Sequence, residues 1–291
     1  MARGNCGEPD LMNLFIFGLG YSVRHFLARH RGDFVDVAGT VRTSEKAQAL
    51  ARGDSSIEPL LFDDRASVEA RLREADALLA SIPSEADDPA LRLYRGAIAS
   101  ASISRVVYLS TIGVYGDHDG AWIDERAALK PVSKRNRARV EAENEWLSLA
   151  TPQRKVFVLR LAGIYGPGRN QVENLRNGTA RRIVKEGQVF NRIHVEDISR
   201  AIAACLGTDA PGGVFNVTDD EPAPPQDVVT YGADLIGVPP PTETPFAQAD
   251  FSPMALSFWG QNKRVANRRL REELGVDLAF PTYREGLRGL V

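Results

Sequence analysis

Two stretches of this chain bring together residue types and spacings suited to binding and chemistry. In Leu14-Phe-Ile-Phe-Gly-Leu-Gly-Tyr-Ser-Val23, Gly18 and Gly20 separate an apolar run from an amphipathic one. Glycines at such a strand–helix turn let the backbone approach a phosphate group, and the N–H groups that open the helix, at Tyr21 and Ser22, can donate to it. An ordinary tight turn is the competing reading, and Val23 stands where the third glycine of a G-x-G-x-x-G loop lets helix and strand pack closely. The second stretch is Pro131-Val-Ser-Lys-Arg-Asn-Arg-Ala-Arg-Val-Glu-Ala-Glu143. Its Arg135 and Arg139 are fixed charges at neutral pH, able to hold an anion but not to exchange a proton during a reaction.

These residues need elements to position them, and the apolar pattern supplies candidates. Short apolar runs at Leu14–Phe17, Phe34–Ala38, Ile57–Phe62, Ala77–Ala80, Val106–Leu109 and Val156–Leu159 read as strands. Amphipathic stretches between them, at Val23–Arg31, Ser44–Arg52, Ala66–Glu74, Pro89–Ser102 and Lys134–Leu149, read as helices. Such alternation predicts an α/β fold, a Rossmann-type doubly wound parallel sheet with helices on both faces. After Tyr165 the rhythm loosens and prolines crowd the turns, yet Val195–Leu206 still reads as a helix and Val214–Val217 as a buried strand. The division expected is a nucleotide-binding core at 12–165 and a smaller substrate-binding region at 166–291. Segments of that region, at about 189–217, return to the first sheet.

Composition narrows the class of ligand. Hydrophobic residues make up 43% and charged residues 25%, with a net charge of -2, which argues against a nucleic-acid footprint and for a small-molecule ligand. No apolar run is long enough for a membrane span. Cys6 and Cys205 have no metal-type spacing and form no disulfide framework, which fits a reducing, cytoplasmic setting. Residues 1–11 read as a short flexible leader, and Met12 is a second candidate start.

The second strand ends in Val37-Ala-Gly-Thr-Val-Arg-Thr43. In dinucleotide folds an acid near this position reads a free ribose 2′-hydroxyl, whereas an arginine accommodates a 2′-phosphate. Arg42, with no acid beside it, therefore favours NADP over NAD as cofactor; a solvated arginine opening the next helix is the alternative, and NAD stays open. Asp63, just past the third strand, is placed to accept from an adenine amine or to cap the helix that follows. Ser81, after the fourth strand, joins the cofactor-binding set.

The segment Val106-Val-Tyr-Leu-Ser-Thr-Ile-Gly-Val-Tyr-Gly116 resembles the extended and atypical short-chain dehydrogenase/reductases, the NAD-dependent epimerase/dehydratase family. Arg160-Leu-Ala-Gly-Ile-Tyr-Gly-Pro-Gly168, Arg192-Ile-His-Val-Glu-Asp-Ile198 and Gly213-Val-Phe-Asn-Val217 follow in the family's order. The resemblance implies that Thr111 is the catalytic hydroxyl. It sets Tyr165, Gly166 and Pro167, with Gly168, near a nicotinamide ring, and makes His194 and Asp197 supports of the fold. It also implies a small-molecule substrate, a nucleotide sugar or another carbonyl compound, and a homodimer through Pro89–Ser102 and Lys134–Leu149.

The same resemblance exposes a departure. Where the family has a Tyr-x-x-x-Lys motif, this chain has Arg135 and Arg139, and no tyrosine lies between Tyr115 and Tyr165. Arg139 can still contact a ribose, but another group must move the proton. Tyr115, Asp117, His118 and Asp119 are the replacements in view; His118 has suitable acid–base chemistry, although Gly-Asp-His-Asp-Gly is also ordinary turn composition. Pairs Arg137–Glu141 and Arg139–Glu143 would neutralise this helix and argue against DNA contact. The residues favour an NADP-dependent oxidoreductase or epimerase-like enzyme with an atypical acid–base group. A catalytically inactive dinucleotide-binding sensor or regulatory protein is the alternative, and an interaction module without cofactor the third.

Overall fold

Burial along successive strand residues decides the architecture, because alternate side chains face opposite sides of a sheet and both sides here are covered. The structure is a computed structural model that describes residues 12–291; Cys6 and the expected leader at 1–11 lie outside the described residues. In chain order the strands are β1 (Met12–Phe17), β2 (Phe34–Val41), β3 (Glu58–Leu61), β4 (Ala77–Ala80), β5 (Arg105–Thr111), β6 (Trp122–Ile123), β7 (Lys155–Leu161), β8 (Gly163–Tyr165), β9 (Arg182–Val184), β10 (Arg192–His194), β11 (Gly213–Val217), β12 (Glu243–Pro245) and β13 (Arg264–Val265). The helices are α1 (Tyr21–His30), α2 (Ser44–Gly53), α3 (Arg65–Glu74), α4 (Pro89–Ser100), α5 (Lys134–Leu147), α6 (Gln171–Arg176), α7 (Val195–Gly207), α8 (Pro225–Leu235), α9 (Pro253–Trp259), α10 (Arg268–Glu272) and α11 (Tyr283–Arg288).

Seven strands form one parallel sheet in the order β11-β7-β5-β4-β1-β2-β3. The order reverses between β1 and β4, so a crevice opens there at the carboxyl ends of the strands, where open α/β sheets bind ligands. On one face Leu14 and Ile16 pack with Val23 and Phe26 of α1 and Ile198 and Ile202 of α7. On the other, Phe15 and Phe17 pack with Val68 and Leu72 of α3, Tyr94 of α4 and Trp146 of α5. Trp146 stacks on Tyr108 at 5.7 Å between centroids and donates its indole N–H to Asp88 at 3.1 Å. Asp88 also caps α4, accepting from the N–H groups of Ala90 and Leu91. Truncating such a buried tryptophan costs on the order of 3–5 kcal/mol.

The second half adds β11 to the sheet edge, paired with β7 through Val214 and Val158, as the apolar run at Val214–Val217 suggests. Three small parallel pairs lie outside this sheet: β8 with β10 and β6 with β13 join the two halves, and β9 pairs with β12 within the second. The i,i+4 pairs suggested for α5 do not form. Arg137 donates to the carbonyl of Val132 and Arg139 to that of Leu109, while Glu143 turns inward to Arg160 of β7. Arg139, Ala142, Glu143 and Trp146 lie on the buried face of the helix, so their partners come from the sheet rather than from the helix's own surface.

Candidate active site

The glycine loop leaves β1 at Phe17 and enters α1 at Tyr21. Gly18 has φ 95°, a left-handed conformation that disfavours a side chain, and a Cβ there would stand 3.0 Å from both Ser81 Oγ and Ile82 Cγ1. Ser81 Oγ donates to the Gly18 carbonyl at 2.6 Å, and Gly18 N–H donates to Thr40 Oγ1 at 3.1 Å. Gly20 is the N-cap of α1 and has no side-chain cap, the first turn carries no acid, and the space around Gly20 is open. A bare helix N-terminus facing open space suits a dinucleotide's pyrophosphate, so the residues present fit the cofactor the fold implies. Val23, in place of the third glycine, is fully buried in the α1 face of the core.

From this loop a cleft of about 1020 Å³ runs past the end of β5 and the exposed side of α5 to the segments 189–192 and 259–263. Thr111 lines it, with Oγ1 accepting the N–H of Gly113 at 3.1 Å. Arg135 and Arg139 both line it too. Arg135 is exposed at the wall, whereas Arg139 is buried, its Nη1 held by the Leu109 carbonyl at 2.9 Å and the Tyr108 hydroxyl at 3.3 Å. Arg139 Nε is buried without a partner.

The tyrosines are engaged elsewhere. Tyr115 donates to Asn216 at 2.7 Å and accepts from Arg160 at 2.9 Å in the core, with burial raising its pKa. Tyr165 lines the cleft, but its hydroxyl donates to the Thr282 carbonyl and burial pushes its pKa up strongly. Tyr21 donates to the carbonyl of Pro167 at 3.0 Å, tying the glycine loop to the turn after β8. The Val195 side chain and the Tyr21 hydroxyl crowd Gly166 so closely that a Cβ there would come within 2.6 Å and 2.8 Å of them.

His118 does not line the cleft. Its ring meets the Ala128 carbonyl at 3.2 Å on the protein surface, and its N–H donates to the Asn262 carbonyl at 3.0 Å. The polar turn Asp117–Gly120 is thus spent on bracing residue 262, with Asp117 accepting the Asn262 N–H at 2.7 Å. Asp119 closes that turn at φ 52°. Arg42 and Asp63 are exposed at the tips of β2 and β3, outside the cleft lining. His194 caps α7 through Nδ1, and burial pushes its pKa down to about 4. Burial likewise raises Asp197 to about 6, although its carboxylate accepts the N–H groups of Ala279 and Phe280. These two groups tie α7 and the chain near 280 together.

Charge in the cleft is one-sided. Among the described residues Arg135, Arg139, Arg169, Arg192 and Lys263 line it and no Asp or Glu does. None of the five forms an ion pair among the described residues; Arg192 Nη1 donates to the carbonyls of Phe190 and Ala223, and Arg169 lies over the Tyr21 ring. Reading the sequence misses Lys263 altogether. The polar run Gln261-Asn-Lys-Arg264 behind Trp259 is its only trace, and such a run is more often a solvated turn.

A parallel sheet reversing between β1 and β4, with a glycine loop at a bare helix N-terminus, defines a Rossmann-type nucleotide-binding protein. The model of the NAD dependent epimerase/dehydratase family matches residues 90–218. Protein YeeZ of Escherichia coli (strain K12) is 30% identical over 264 residues, 86% of this chain and 89% of that protein. The chain belongs to the NAD dependent epimerase/dehydratase family. Among solved structures, a functionally unknown conserved protein from Silicibacter pomeroyi DSS is 45% identical with a TM-score of 0.87, covering 96% of this chain and 98% of that one. MoeE5, in complex with UDP-glucuronic acid and NAD, shares the fold at 21% identity with a TM-score of 0.76 over 96% of this chain and 97% of its own.

Proposed function

We propose that this protein is a nicotinamide-dependent oxidoreductase or epimerase-like enzyme acting on a small carbonyl or alcohol that carries an acidic group, a nucleotide sugar being one such compound. The observation that carries the reading is the cleft joining the glycine loop to Thr111, lined among the described residues by five cations and no carboxylate. Gly18, Gly20, Tyr21, Ser22 and Ser81 hold the dinucleotide's phosphates in this reading, with Tyr165, Gly166 and Pro167 beside the ring. A bound nicotinamide supplies or accepts hydride. Thr111 orients the reacting oxygen, and Arg139, already tied to the end of β5, presents its charge to the ribose. The MoeE5 structure holds NAD and UDP-glucuronic acid, which supports a dinucleotide and an anionic partner here.

Arg42 makes NADP the preferred form, because a guanidinium suits a 2′-phosphate. Calorimetric titration with NADPH and NADH tests both points: micromolar binding is expected, tighter for NADPH, and failure of both to bind would overturn the reading. Turnover is tested by mixing reduced cofactor with a panel of carbonyl compounds and nucleotide sugars. The arginine at position 135 favours a second reading, a sensor that binds cofactor without catalysis. Turnover that is abolished in Thr111→Ala would eliminate the sensor; cofactor binding with no turnover across the panel would support it.

A further inference from the structure

Among the described residues, four arginines, three tyrosines and one lysine are the ionisable side chains lining the cleft. Arginine keeps its proton at neutral pH. The tyrosines are spent or sealed: Tyr21 and Tyr165 donate to backbone carbonyls, the Tyr283 hydroxyl is buried without a partner, and burial raises the pKa of all three. That leaves Lys263. Only 6% of its surface is exposed, yet among the described residues no carboxylate pairs with it. Its ammonium donates to the Gly116 carbonyl at 2.8 Å and to Gln261 Oε1 at 2.9 Å, both neutral. An ammonium has three N–H bonds, so one is left without an acceptor on a residue that lines the cleft.

We propose that Lys263 is the proton-transfer residue of this cleft, giving a proton to a substrate carbonyl oxygen in reduction and recovering it in oxidation. The proposal rests on the enzymatic reading above and names the group that the arginine at position 135 cannot replace. Thr111 caps the start of a 3-10 turn and Gly116 its end, so the lysine is anchored to the far end of the turn that begins at the hydroxyl proposed to orient the substrate. When a carbonyl carbon accepts hydride from a reduced nicotinamide dinucleotide, its π pair moves to oxygen. An N–H bond of Lys263 breaks as the O–H bond of the product alcohol forms, and water entering the cleft returns a proton to the amine. Burial lowers the pKa of Lys263 to about 8, against the opposing pull of Asp117, which places the exchange near neutrality. Asp117 is braced by Asn262, and Arg264 turns away to the Gly120 carbonyl, so the surrounding charges are the Asp117 carboxylate and the cations across the cleft.

The test uses three measurements on the full chain. Trace acetylation with acetic anhydride, read by mass spectrometry of the Lys263 peptide, should follow a pKa near 8, as burial dictates; an ordinary lysine value would overturn the proposal. Cofactor affinity, from the fluorescence of bound NADPH, should be the same in wild type, Lys263→Met and Lys263→Arg. With a carbonyl compound that the panel shows to be reduced, wild-type kcat should fall as pH rises through about 8 and the lysine loses its proton. Both variants should lose about 100-fold or more in kcat, together with that limb of the profile. Recovery of kcat in Lys263→Arg would make the residue a charge anchor and sink the proposal. Turnover and pH limb surviving in Lys263→Met would refute Lys263 alone, whereas a wild type that binds cofactor and reduces nothing would refute the enzymatic reading and this role together.

Discussion

Breaking the Arg160–Glu143 pair should cost far more than breaking a surface ion pair. The two side chains are 5% and 2% exposed, and Arg160 Nη2 stands 2.7 Å from Glu143 Oε2. Arg160 Nε reaches both carboxylate oxygens at 3.2 Å and 3.1 Å, and Ser110 Oγ donates to Oε1 as well. The guanidinium continues to the Tyr115 hydroxyl at 2.9 Å and lies over that ring at 4.8 Å, while the Tyr115 hydroxyl donates a hydrogen bond to Asn216 Oδ1. Glu143→Leu therefore leaves a buried guanidinium with one neutral partner, and Arg160→Met leaves a buried carboxylate with one hydroxyl. Removing a single partner of such a pair costs about 3–5 kcal/mol.

Replacing both partners removes the unpaired charge as well as the attraction, so the double variant should cost less than the sum by on the order of 3 kcal/mol. Equilibrium urea unfolding followed by circular dichroism measures all three, and each single variant should melt on the order of 10 °C lower. The loss should barely change between low and moderate salt, because the pair is shielded from counterions. Single variants each losing under about 1 kcal/mol, or costs that add without coupling, would refute the reasoning, since exposed pairs behave that way. Glu143 also stands one turn beyond Arg139 on α5, so loosening it should weaken cofactor binding along with stability.

Gly18→Ala puts a Cβ on a residue at φ 95° and 3.0 Å from Ser81 and Ile82. The strain of about 1–2 kcal/mol should raise the NADPH dissociation constant roughly tenfold in calorimetry, with the circular dichroism spectrum unchanged. Gly286→Ala would set a Cβ 1.9 Å from the Tyr165 hydroxyl, and overpacking of about 1–3 kcal/mol should lower the melting temperature and shift cofactor affinity, because Tyr165 lines the cleft. His194 is held neutral by burial, with its pKa lowered from 6.5 to about 4. The unfolded chain then binds the proton first, so the stability it preserves is whole above pH 6.5 and drains away as pH falls towards 4. Between pH 7 and pH 4.5 wild type should lose about 2.5 kcal/mol more than His194→Gln in urea unfolding; equal losses would contradict it.

The centre of the sheet was legible because β4, β5 and β7 are buried on both faces and announce themselves as apolar runs, whereas the edge strand β3 is half-exposed and carries Glu58 and Pro59. Val106–Leu109 extends to Arg105–Thr111 and Phe34–Ala38 to Val41, the differences falling at ends where polar residues still pair. The glycine loop was legible for the same local reason, since Gly18 and Gly20 sit where strand pattern meets helix pattern. What the sequence hid depends on contacts between distant segments. Glu143 is read from local spacing as the i+4 partner of Arg139, and only the sheet beneath α5 brings Arg160 to it. His118 has the right chemistry in a polar turn, yet the turn is consumed by Asn262, far along the chain. Lys263 acquires its position through a carbonyl at Gly116 and its lowered pKa through burial, neither of which leaves a mark in local composition.

If Arg135 and Arg139 stand where the resemblance sets the family's tyrosine and lysine, the departure has a structural meaning beyond a lost motif. A tyrosine there would present a neutral proton donor to the cleft, and its paired lysine would be one cation among several. With Arg135 in its place, the wall gains a charge that never switches, beside Arg139 whose Nη1 is fixed to the end of β5. Fixed charges of one sign hold anions in place but give no path for a proton. The group that can lose one must then be one whose pKa burial brings towards neutrality; burial disfavours the charged form of amine and phenol alike, which lowers the pKa of the amine and raises that of the phenol. The same burial that drives the cleft tyrosines out of range brings Lys263 into it, which is why the proposed proton transfer falls to the segment between α9 and β13 and requires no change in the sheet.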